Sequence, residues 1–146
     1  MRIKRPDSKN ALSLVEEAER EMKFILTIKL NEDSSSTIVR NIYESFRMLG
    51  NALLAIKGLE SKDHKDSINA ILTLNINTKR PLNTLDNLRR LRHNINYYGY
   101  HPTIAETKDV IDIANSCFRP VLEAVKRQSM FKSQYKRKLF ISRKKF

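Results

Sequence analysis

The chain has 146 residues, with 28 Lys and Arg against 16 Asp and Glu, a formal net charge of +12. That length makes one domain, and 40% apolar residues are enough for one core and not two. Three glycines, four prolines and a single cysteine exclude a sandwich or barrel of many short strands, which needs turn formers, and exclude an intrachain disulfide framework.

Five segments carry helical periodicity. In the first, residues 8–30, Leu12, Val15, Met22 and Leu26 form the apolar stripe, with Glu16, Glu17, Glu19, Arg20 and Lys23 opposite. The polar run Asn31-Glu32-Asp33-Ser34-Ser35-Ser36 makes a loop and caps the next helix. In the second, residues 37–57, the stripe is Ile42, Phe46, Leu49, Leu53 and Ile56. Gly58 follows in the place of a left-handed cap. Gly50, inside this helix, points to a close helix–helix approach, since an interior glycine otherwise costs about 1 kcal/mol relative to alanine.

The third helix, residues 62–74, buries Ile68, Ile71 and Leu72. After a connector, the fourth, residues 83–98, turns Leu85, Leu88, Leu91 or Arg92, and Ile95 inward, and Gly99 ends it. The fifth opens with Thr103-Ile104-Ala105-Glu106, a capping box. Its stripe is Ile104, Ile111, Ala114, Phe118 and Val121, with Pro120 late in it, a place where a kink is expected. Short links between long amphipathic helices predict an all-α, up-and-down bundle of four to five antiparallel helices over residues 1–129. Residues 130–146 form a basic tail, expected to be partly disordered. From Lys126 to Phe146 there are nine basic residues and no acid, which leaves +3 for the rest. A tail of this kind attracts phosphates.

No apolar run is long enough to span a bilayer. The start, Met1-Arg2-Ile3-Lys4-Arg5-Pro6-Asp7, lacks the apolar stretch of a signal peptide, so a cytoplasmic location is expected. Glycine-rich phosphate loops, metal-spaced Cys/His clusters and the nucleophile elbow are all missing, and no cofactor or metal is expected. Cys117 lies in an apolar run with no histidine near it in sequence, as a buried inert thiol would.

The informative stretch is residues 88–103, Leu-Arg-Arg-Leu-Arg-His-Asn-Ile-Asn-Tyr-Tyr-Gly-Tyr-His-Pro-Thr. It places three arginines, two histidines, two asparagines and three tyrosines at one helix end and the turn after it. Arginine forks match phosphate, and tyrosines stack on bases. The same residues can equally satisfy buried polar groups and wedge the helix end against its neighbours. Composition favours neither reading.

This stretch, with the run from Tyr43 to Gly58 and His64 after it, resembles the HEPN superfamily over roughly residues 38–125. The resemblance implies a four- or five-helix bundle, usually a homodimer. It implies binding of nucleotide or RNA, or metal-independent ribonuclease activity, and a frequent minimal nucleotidyltransferase partner in toxin–antitoxin modules. The family's nuclease motif sets a histidine four to six residues beyond an arginine and its following residue, often asparagine. Arg92 fits the arginine, His93 stands where asparagine is usual, and Tyr97, Tyr98 and Gly99 occupy the histidine places, with His101 beyond them. Tyrosine, with a reference pKa of about 10, is a poor base at neutral pH. The expectation is therefore a non-catalytic nucleotide- or RNA-binding protein using Arg89, Arg92, Asn96, Tyr97 and Tyr98, together with Lys136, Arg137, Lys138, Arg143, Lys144 and Lys145 of the tail. The alternatives are a ribonuclease with Arg92 on the phosphate and His93 or His101 as acid–base, and a structural dimerisation subunit.

Overall fold

In the computed structural model, residues 1–144 are described, with side chains described for residues 1–130 except His64. Five helices carry the fold: α1 (Ser8–Ile25), α2 (Ser35–Ile56), α3 (His64–Leu72), α4 (Thr84–Tyr98) and α5 (Ile104–Lys144). The architecture is an all-α bundle, with one two-residue ribbon at its edge. In that ribbon β1 (Arg2–Ile3) pairs antiparallel with β2 (Leu59–Glu60).

Helix α2 is the central element and packs on α1, α3, α4 and α5. Its buried stripe holds Ile42, Phe46, Leu49, Leu53 and Ile56, as the periodicity predicts. Directions follow from single contacts. The Asp7 amide donates to the Ala55 carbonyl (3.0 Å), so α1 begins where α2 ends. Arg40 near the start of α2 reaches Asn96 near the end of α4, so these two are antiparallel. Ser35 at the head of α2 meets Pro102 just before α5, and Phe46 meets Phe118 edge-on at 5.4 Å. Helices α2 and α5 therefore run the same way, and α1 and α4 run against them.

The stripe on α1 differs from the expected one. Leu12 and Leu26 are exposed, while Ala11, Val15, Ala18, Met22 and Ile25 face the core. The helix also ends at Ile25, five residues before the expected boundary, because Thr27 turns back to bond the Phe24 carbonyl. Gly50 does sit at a close approach. A Cβ there would lie 2.9 Å from Ser67 Cα and nearer still to its carbonyl group, so α3 rests directly on the α2 backbone. Gly58 (φ +72°) and Gly99 (φ +64°) both take the left-handed conformation that the sequence assigns them. The capping box forms as expected, with the Thr103 amide donating to Glu106 Oε1 (2.9 Å) and the Glu106 amide to Thr103 Oγ1 (3.0 Å).

Helix α5 does not stop near residue 129 but continues to Lys144. At 1.5 Å per residue its 41 residues span about 60 Å, against about 33 Å for the 22 residues of α2. The two helices start level with each other, so the last turns of α5 extend past the end where α2 finishes. Among the described residues, no helix is long and apolar enough to cross a membrane.

Candidate functional site

Of the residues singled out on α4, Arg89, Arg92, His93, Asn96 and Tyr97 fall on one arc of that helix, with Tyr98 about 100° further round, and α2 supplies the opposite wall. Arg40, Tyr43, Glu44 and Arg47 recur at three- and four-residue spacing, so they share one face of α2. That face meets Arg89, Arg92 and Asn96 on α4. Arg40 Nε donates to Asn96 Oδ1 at 2.8 Å, and the Arg92 guanidinium lies 5.1 Å from the ring centroid of Tyr43. Tyr43 is fully buried. Burial pushes its phenol pKa upward, and the charges of Arg92, Arg47 and Arg89 pull it back down. Three guanidinium groups therefore act on one phenol.

The ion pairs along this seam are unequal. Arg47 forks onto Glu44, with Nε to Oε2 at 2.9 Å and Nη2 to Oε1 at 2.5 Å. Asp86 takes both Arg89 (2.9 Å) and Arg90 (3.1 Å). Arg92 has no carboxylate partner among the described residues, and neither has Arg40. Five guanidinium groups thus face two carboxylates, and the seam carries net positive charge. Arg92 is half-buried on an aromatic face, a setting that desolvates a guanidinium while leaving its donors available.

Beyond the seam the arc turns outward. His93 follows Arg92 by one residue, so its side chain points about 100° further round the helix. It stacks on Tyr97 with ring centroids 4.6 Å apart and meets Tyr98 edge-on at 5.7 Å. Tyr97 and Tyr98 are 65% and 76% exposed, which leaves their ring faces accessible. His101 is held elsewhere: its Nε2 lies 3.5 Å from Ser35 Oγ, at the head of α2. Tyr100 donates to Glu106 Oε1 at 2.6 Å and fastens the turn to α5. The structure therefore joins Arg89, Arg92 and Asn96 in one seam and His93, Tyr97 and Tyr98 in an adjoining aromatic cluster, with His101 separate from both.

The side chains of Lys136, Arg137, Lys138, Arg143 and Lys144, and the whole of Lys145, lie outside the described residues. The backbone of α5 places residues 136–144 toward the opposite end of the bundle from Tyr98. The backbone of residues 136–144 and the α4 residues from Arg89 to Tyr98 are thus at opposite ends.

No protein-family model, curated protein or solved structure matches this chain.

Sequence reading missed Arg40, Tyr43, Glu44 and Arg47 as site residues, although Tyr43 opens the second stretch of the HEPN resemblance. Their shared face was visible as an i, i+3, i+4, i+7 row, but only the packing of α4 shows what the row faces. Cys117 is buried, with its Sγ directed at the Arg80 carbonyl (3.5 Å) and its thiol pKa raised mainly by burial. Among the described residues no three His, Cys, Asp or Glu side chains gather where a metal could sit.

Proposed function

We propose that this chain is a HEPN-like helical protein that binds RNA or nucleotide phosphates without cleaving them. The observation that carries this reading is Arg92: a half-buried guanidinium with no carboxylate partner among the described residues, lying on the Tyr43 ring in a seam of excess positive charge. A phosphate oxygen would supply the acceptors that Arg92 lacks. Further along α4, Tyr97 and Tyr98 are largely exposed and offer ring surface for a base. His93 packs on Tyr97 and His101 meets Ser35, which supports binding over cleavage, since a nuclease needs a general base at the phosphate.

Fluorescence anisotropy with a labelled single-stranded RNA, read across a salt series, tests the proposal. Binding should weaken by about ten-fold in Arg92→Ala, and the RNA should stay intact on a denaturing gel in EDTA. Cleavage that disappears in Arg92→Ala would establish the ribonuclease alternative instead.

The exposure of Tyr97 and Tyr98 favours a second reading, in which this helix end is the contact between two copies of the chain, with or without a nucleotidyltransferase partner. Light scattering on Tyr98→Ser separates the two. A fall in mass with RNA affinity retained assigns the tyrosines to dimerisation, and unchanged mass with weaker RNA binding assigns them to stacking.

A further inference from the structure

At the end of the bundle where α1 begins and α2 ends there is a cavity of about 650 Å³. It shares Arg47 with the α2–α4 seam, and the binding proposed above uses none of its other lining residues. The N-terminal segment forms one wall, the last turns of α2 the floor, and the residues between β2 and α3 the other wall. Its size falls in the range that holds a small organic molecule.

The lining carries charges of both signs, but its carboxylates are already engaged. Asp7 caps α1, accepting from the Asn10 amide at 2.9 Å. Asp63 caps α3, accepting from the amides of Lys65 (2.9 Å) and Asp66 (3.1 Å). Glu60 pairs with Lys4 at 3.4 Å and Arg2 at 3.8 Å. Two lining cations, Arg5 and Lys62, have no carboxylate partner among the described residues; one follows β1 and the other follows β2. On the floor, Asn51 Oδ1 accepts from Ser67 Oγ at 2.5 Å, so its amide nitrogen is the group left to donate. Leu54, Ala55 and Leu59 give the cavity an apolar patch. With Lys4, Arg5, Arg47 and Lys62 against Asp7, Glu60 and Asp63, the lining carries a small excess of positive charge, beside a surface suited to a hydrocarbon or planar ring.

We infer that this cavity binds a small organic anion, with its phosphate or carboxylate head between Arg5 and Lys62 and its body against Leu54, Ala55 and Leu59. Arg5 and Lys62 are exposed and form no side-chain hydrogen bond or ion pair among the described residues, so their replacement is expected to leave the fold intact. The arrangement asks for both parts of the ligand: the head supplies charge and the body excludes water from the apolar patch.

The test is a set of amide chemical-shift titrations on the full chain. The probes are adenosine monophosphate, benzoate, inorganic phosphate and uncharged adenosine. Adenosine monophosphate or benzoate should give saturable shifts at the cavity amides, those of Asn51, Ala55, Ser61 and Lys62 among them, and these shifts should persist in Arg92→Ala. Whichever of the two binds identifies the head group. The double substitution Arg5→Ala with Lys62→Ala should weaken that binding by at least about ten-fold without lowering the melting temperature, and Arg92→Ala should leave it unchanged. The inference fails if none of the four probes gives a saturable shift at millimolar concentration, or if the double variant binds as tightly as the native chain. It also fails if the shifts fall on α4 and vanish in Arg92→Ala. Inorganic phosphate binding as tightly as adenosine monophosphate would reduce the site to an adventitious ion only.

Discussion

A methyl group added at Gly50 would meet the carbonyl of Ser67, which is backbone and cannot swing aside. Alanine is the better helix former by about 1 kcal/mol, yet the overlap outweighs that gain, because forced overpacking of a core contact typically costs about 1–3 kcal/mol and here the obstacle is rigid. Gly50→Ala should destabilise the chain by at least about 2 kcal/mol in a denaturant melt. At Gly99 the added methyl meets nothing, and only the positive φ opposes it. Gly99→Ala should therefore cost about 1 kcal/mol, so the order of the two variants separates steric overlap from backbone strain. Glu106 belongs to the same scale. Its pKa is held below the ordinary carboxyl value of 4.5, first by the Thr103 amide and then by the Tyr100 hydroxyl, against some burial. A depressed carboxyl stabilises the fold in its charged form. That contribution is complete above the ordinary value and fades as the pH falls through the lower folded one. Stability curves below pH 4.5 should thus be less steep for Glu106→Gln than for the native chain, with a loss of about 1 kcal/mol at neutral pH from the broken cap.

Between elements, the docking of α5 on α1 is fastened by Glu19, which takes Arg119 at 2.9 Å and Lys126 at 3.4 Å. The Arg119 bond does most to lower the Glu19 pKa, burial opposes it, and Lys126 adds to the lowering. All three groups keep contact with solvent, so the network is screened by salt. Glu19→Gln should lower stability by at most about 1 kcal/mol at low ionic strength, and the difference from the native chain should shrink in high salt. The helices themselves were legible in the sequence because their apolar residues recur at the helical period, and because Gly58, Gly99 and the Thr103–Glu106 box mark three of their ends. On α1, Val15 and Met22 are buried as expected, and Leu12 and Leu26 were misplaced. Leucine outranks alanine in hydropathy, but Ala11 and Ala18 are the residues that permit close contact, and Leu12 and Leu26 are left outside. The ribbon of Arg2–Ile3 with Leu59–Glu60 is two residues long, too short to show any alternation. Half of the seam was legible, since Arg89, Arg92 and Asn96 crowd one helix end. The other half was not. Arg40, Tyr43 and Arg47 gain their meaning only from a helix some 50 residues later, and Arg80, which grips Asp109 (2.7 Å) and Asp112 (3.1 Å) on α5, lies in a connector without any pattern.

At the scale of the molecule, the sequence carries positive charge both in the α2–α4 seam and in residues 130–146. Deleting residues 130–146 removes seven cations and leaves the α2–α4 seam in place. For the truncated chain, the fall of log affinity with log salt should be shallower by several units, since each phosphate neutralised on a single strand contributes about 0.7. The part of the affinity that Arg92→Ala abolishes should survive truncation. If truncation abolishes that part as well, the seam does not bind by itself. The seam also has an optical consequence. The chain holds no tryptophan and five tyrosines, and four of these, Tyr43, Tyr97, Tyr98 and Tyr100, stand at this one corner of the molecule. With no indole to mask them, these four tyrosines contribute most of the tyrosine signal in ultraviolet emission, and a base stacked on Tyr97 or Tyr98 should change it. The protein thus reports on its own candidate site without a label, and a ligand that leaves that signal unchanged is not bound there.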